Sequence, residues 1–94
     1  MNVYLLWFLI GNSRIDAMDI DYDKVDDYTL ALLYLVTSKD KFGARAWKAF
    51  DWETMNRLHE KGYISNPKSK ALSVALTEEG YARAQELFES LFTK

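Results

Sequence analysis

Residues 51–80 read DWETMNRLHEKGYISNPKSKALSVALTEEG. Asp51 offers an N-cap to a helix running to Lys61, with Trp52, Met55, Leu58 and His59 along one side. Gly62 stands where a helix stop wants a left-handed residue with no Cβ to clash. Tyr63 follows at the position that packs back on Leu58. Tyr63-Ile64-Ser65 then predicts a short strand, and Asn66-Pro67-Lys68-Ser69-Lys70 a turn. In the next run, Leu72, Val74 and Leu76 alternate with Ala71, Ser73 and Ala75, the period of a strand with one face inward. Thr77 caps a last helix, with Glu78 and Glu79 in its first turn, where the helix dipole favours negative charge. Tyr81, Ala84, Phe88, Leu91 and Phe92 give that helix its apolar stripe, with Leu87 beside it. Helix, glycine stop, hairpin with a basic tip and capped helix is the order of a winged helix-turn-helix around its second helix and wing.

Upstream, Ala44–Ala49 predicts the short helix that precedes the second one. Ala46, Trp47 and Phe50 would be its buried side, and Arg45 and Lys48 would point outward. Asp23–Ser38 predicts a longer helix capped by Asp23, with Asp26 and Asp27 in its first turn. Val25, Tyr28, Leu32, Leu35 and Val36 recur at helical spacing there, and Leu30, Leu33 and Tyr34 widen the stripe toward the core. Residues 1–17 stand apart as an apolar N-terminal extension to a domain formed by 18–94. Its run VYLLWFLI is too short to cross a bilayer, which takes about 20 residues, and it lacks the flanks of a secretory signal. The run suits a short helix or strand that covers the core or a dimer partner, or an upstream extension with Met18 as an alternative start; the dimer expected would form through this run, the C-terminal helix, or both.

Ninety-four residues suffice for one modest core, and about half of them are apolar. The fold class expected is mainly α with a small antiparallel β-hairpin. With no cysteine there is no disulfide framework or thiolate metal site, which suits a cytoplasmic location. One histidine makes a His-rich metal site impossible within one chain, and no cofactor motif is present. There is no glycine-rich phosphate loop, no GxSxG and no HExxH, and the carboxylates sit where helix capping explains them. The expectation is a chain with no catalytic residues and no membrane association.

Charge is unevenly spread. The net charge is −2, yet residues 39–70 carry eight basic and four acidic side chains, while both flanks are acidic. Such asymmetry bears on partners. The helix before the wing would present Thr54, Asn56 and Arg57 to base edges, Asn and Arg being the residue types that read adenine and guanine. Arg45, Lys48, Lys61, Lys68 and Lys70 would hold phosphates. Glu53 and Glu60 flank Arg57 at i−4 and i+3 and oppose that reading, because they can pair with it. Trp47 and Phe50 read as core, and Trp52 as partly exposed.

The pattern LHEKGYI…ALSVALTEEG resembles the recognition helix, wing and following helix of bacterial winged-helix regulators of the MarR and PadR types. From Met18 onward, MDIDYDKVDDYTLALLYL, FGARAWKAFDW, LHEKGYISNPKSKA and LTEEG are similar to a family of small bacterial proteins of unassigned function. The resemblance implies a winged-helix fold and a bacterial origin. The function expected is double-stranded DNA binding by a small dimeric transcriptional regulator. The alternative is a winged helix that contacts protein, as an adaptor or dimerisation module.

Overall fold

The computed structural model of the chain describes residues 18–94, so the apolar run VYLLWFLI lies outside the described residues. Among the described residues, three helices and the three strands of an antiparallel sheet follow one another. They are α1 (Tyr22–Leu35), β1 (Ser38–Asp40), β2 (Gly43–Trp47), α2 (Trp52–Glu60), β3 (Ser73–Leu76) and α3 (Glu78–Phe92). The sheet order is β1-β2-β3. The content is mainly α with a β-hairpin, and the arrangement is consistent with a winged helix.

α1 starts one residue after Asp21, not after Asp23, because the Asp21 carboxylate accepts from Lys24 N at 3.0 Å. It stops at Leu35. Thr37 turns its hydroxyl back onto the Leu33 carbonyl at 2.6 Å, satisfying an acceptor that the next helical turn would have used. The core face of α1 also differs from the expected one. Leu30, Ala31 and Leu33 are buried together with Asp26 and Thr29, whereas Val25, Tyr28, Leu32, Leu35 and Val36 are exposed. The helix therefore has two apolar faces, and its interior is lined by the second.

Ala44–Ala49 is not a helix. Gly43–Trp47 is the central strand, paired with β1 through Ser38↔Arg45 and with β3 through Ala46↔Val74. The sequence there has period two: Ala44 and Ala46 are buried, while Arg45 and Trp47 are exposed. A two-residue turn, Lys41-Phe42, joins β1 to β2. The Asp40 carboxylate accepts from Phe42 N at 2.8 Å, and Gly43 leaves the turn at φ 131°. A strand with neighbours on both edges satisfies all its backbone groups, which a helix of a single turn or so cannot do. The exposure of Trp47 and Phe50, both expected in the core, follows from this change of element; Trp52 is half exposed as anticipated.

Residues 51–80 fold largely as their sequence predicts. Asp51 caps α2 by accepting from Thr54 N at 3.1 Å. Gly62 has φ 82°, Gly62 N donates to His59 O, and Tyr63 N donates to Leu58 O. That pair of bonds closes the helix end. Thr77 caps α3 through Gly80 N at 2.9 Å. The strand expected at 63–65 shrinks to the bridge Ile64↔Leu76 with a Ser65 N–Ala75 O bond, on the edge of β3 away from β2. Leu30, Leu33, Met55, Leu58, Ile64, Val74 and Ala84 form the interior, with Tyr34, Tyr81 and Phe88 packed on it.

Candidate nucleic-acid interface and its ionic clamp

The α2 face was read from sequence as the surface that meets DNA, and its side chains have other partners. Asp26 on α1 is 1 % exposed. Its carboxylate accepts from Arg57 Nε at 2.9 and 3.1 Å and from Lys61 Nζ at 2.9 Å, and Arg57 Nη2 lies 2.9 Å from it. Lys61 also reaches Asp23 at 2.9 Å. Arg57 Nη2 further donates to Thr54 Oγ1, and Thr54 Oγ1 donates to Asp51, both at 2.9 Å. The guanidinium lies over the Tyr22 ring, 4.7 Å from its centroid. The chain Asp51–Thr54–Arg57–Asp26–Lys61–Asp23 clamps α2 to α1.

The electrostatics agree with the geometry. The hydrogen bonds to Asp26 hold the Arg57 charge more firmly than usual. Burial works against the Lys61 charge, but the bonds to Asp26 and Asp23 outweigh it and raise its pKa above the ordinary lysine value. The Lys61 hydrogen bond and charge lower the pKa of Asp23, which is fully exposed.

Three of the expected DNA contacts therefore take different roles. Thr54 is buried at 1 % exposure and cannot face a base; its hydroxyl relays between Asp51 and Arg57. Arg57 points inward to Asp26 rather than pairing with Glu53 or Glu60. Lys61 is bound to two aspartates. Asn56 is half-buried on α2, beside exposed Glu53 and Glu60. Arg45 projects from β2 and donates to Ser73 Oγ and O at 2.8 and 2.9 Å. Lys48 reaches under the 66–72 loop, where Nζ donates to Pro67 O at 2.8 Å and Ser69 O at 2.6 Å. Lys68 and Lys70 are exposed on that loop. His59 Nδ1 donates to the Ile64 carbonyl at 3.0 Å, a pin on the loop that follows α2.

Asp26 is the residue the sequence reading missed. Its signal was positional: it lies four and seven residues before Leu30 and Leu33, on the core side of the helix, so its carboxylate needs a buried partner. That partner is 31 residues away in sequence.

Fold and site together define a small α/β-hairpin domain whose central helix is locked by ion pairs. Over residues 21–94 the chain matches the family described as Domain of unknown function (DUF6429), and it belongs to that family. It is also 51 % identical over 77 residues to the "Uncharacterized protein y4hR" of Sinorhizobium fredii (strain NBRC 101917 / NGR234), covering 82 % of this chain and all of the relative. No solved structure matches the chain. Among the described residues no helix is long and apolar enough to cross a membrane.

Proposed function

We propose that this domain is a protein-interaction module on a winged-helix-like frame, and that α2 braces the frame instead of reading bases. The observation that carries this reading is the inward capture of Arg57. Freeing its guanidinium for a groove would take the bidentate donor from a carboxylate that is 1 % exposed and leave Lys61 alone to satisfy it, a loss of about 1.5–3 kcal/mol for each charged hydrogen bond given up. A good bidentate base contact returns about 1–3 kcal/mol. The exchange is unfavourable, and Glu53 and Glu60 on the same helix oppose a phosphate-lined groove further. Exposed Trp47, Trp52 and Phe42 are residue types enriched at protein contacts.

Lys68 and Lys70 favour a second reading. They are exposed on the 66–72 loop with Lys48 beneath it, and among the described residues phosphate contacts there open no ion pair. A titration of labelled random-sequence duplex at low and moderate salt separates the two. The interaction reading expects no measurable binding at low salt, or weak binding that is indifferent to Arg57→Ala. Tight binding that falls steeply with salt, and a slope flattened by Lys68→Glu with Lys70→Glu, would overturn it in favour of a DNA-binding regulator.

A further inference from the structure

The outer face of α1 carries an apolar seam that the fold leaves open. Val25, Tyr28, Leu32 and Leu35 follow one another at spacings of three, four and three, the a/d rhythm of a helix that packs on another helix. They lie opposite the face that supplies Leu30 and Leu33 to the interior. Phe92 from the end of α3 extends the seam, its ring edge-on to Tyr28 at 6.2 Å. These five side chains are 38–64 % exposed.

We propose that this seam is a homodimer interface, with α1 of one protomer laid against α1 of a second copy. The inference deepens the protein-interaction reading by naming the partner. Its first support is area. With full aromatic areas of order 150–250 Å², the five side chains leave roughly 450 Å² of apolar surface open. Homodimer interfaces are about 65 % apolar, so a polar rim in that proportion brings the patch to about 700 Å², near the ~800 Å² per partner of a standard interface. The open apolar area is of the size of the largest patch on a typical monomer, about 300–600 Å², which is often functional.

The second support is self-complementarity. An a/d seam supplies both knobs and holes, so a two-fold pairing of identical helices satisfies it with no other protein. The third is position. The family match covers 21–94, so the seam and its partner lie in the same unit, whereas the apolar run at 3–10 lies outside it.

The test is sedimentation of the full chain from low micromolar to submillimolar concentration, for wild type and for Leu32→Asp with Leu35→Asp. Dimerisation predicts twice the 11.0 kDa protomer mass for wild type and the protomer mass for the variant, with unchanged far-UV circular dichroism. A wild-type monomer overturns the proposal. If the variant monomer also melts lower than a monomeric wild type, residues 1–17 are the occupant instead. A variant that stays dimeric overturns it as well, because the contact then lies elsewhere.

Should the double variant fail to fold, the chain's lack of cysteine supplies a second measurement. A short bis-maleimide joins Leu32→Cys protomers but not Ser69→Cys protomers if the seam is the contact, and equal yields overturn it. DNA binding is read separately, so a dimer that binds duplex would refute the interaction reading while leaving this interface standing.

Discussion

Gly80 shows how a single missing carbon positions an element. It is buried in the first turn of α3, and a Cβ built there would sit 1.9 Å from the Tyr63 carbonyl oxygen and 2.8 Å from Tyr63 Cα. Those atoms are backbone, and they are held in place: Tyr63 O accepts from Thr77 N, and Thr77 Oγ1 donates to Gly62 O at 2.7 Å. Neither partner has room to give, so α3 packs against the α2 stop only through glycine. Gly80→Ala should therefore cost about 3 kcal/mol, even though alanine is the better helix former by about 1 kcal/mol. Urea unfolding measures it, and a neutral or stabilising result would mean that α3 can shift away from Tyr63. The capture of Arg57 has the same local character. The sequence placed Glu53 and Glu60 within reach of it, but a carboxylate that is 1 % exposed and already fixed on α1 outcompetes two that can stay hydrated.

At the level of the elements, the central strand separates a helical reading from the extended one. If 44–49 were a helix, Ala46 and Trp47 would both be buried. In the strand only Ala46 is, at 3 % against 60 % for Trp47. Trp47→Lys should change stability by less than about 1 kcal/mol, whereas Ala46→Asp places a charge among Val74 and its neighbours and should cost about 4 kcal/mol or more. Equal costs in denaturant titrations would refute the strand alternation. The contrast also shows what was legible beforehand. The Asp51 and Thr77 caps, the Gly62 stop and the alternation of 73–76 are encoded within a few residues, and each appears where the sequence places it, whereas the α1 cap falls at Asp21, two residues before the expected Asp23. The 44–49 segment is too short for period to settle, and its state is decided by pairing with β3, about 30 residues downstream. α1 failed in a different way. Its apolar positions encircle the helix, so the helix was plain while the choice of inner face belonged to tertiary packing. At the candidate interface, exposed Lys68 and Lys70 were legible from their turn residues, but the roles of Thr54, Arg57 and Lys61 depended on Asp26.

Across the whole domain, α1 and α2 are held together by charge as well as by apolar contact, which makes stability depend on pH in a definite way. Lys61 has its folded pKa raised above the unfolded 10.5, so its contribution is complete below 10.5 and disappears as pH climbs through the folded value. Asp23 has its folded pKa lowered below 3.8, so its contribution is complete above 3.8 and disappears as pH falls through the folded value. Lys61 causes the second shift as well as undergoing the first. One substitution, Lys61→Met, should therefore flatten both limbs of the melting-temperature profile while keeping the aliphatic stem packed. At neutral pH the loss should be about 1 kcal/mol, because Arg57 still satisfies Asp26 and Lys61 is one-third exposed. That corresponds to about 4–8 °C for a domain of this size. Thermal melts of wild type and variant across acid, neutral and alkaline buffers give the difference curve. It should be widest at neutral pH and narrow toward both extremes, with the tyrosines and other carboxylates, common to both proteins, cancelling. A constant difference at all pH values would mean that Lys61 contributes through packing alone, and that the charge clamp does not tie α2 to α1.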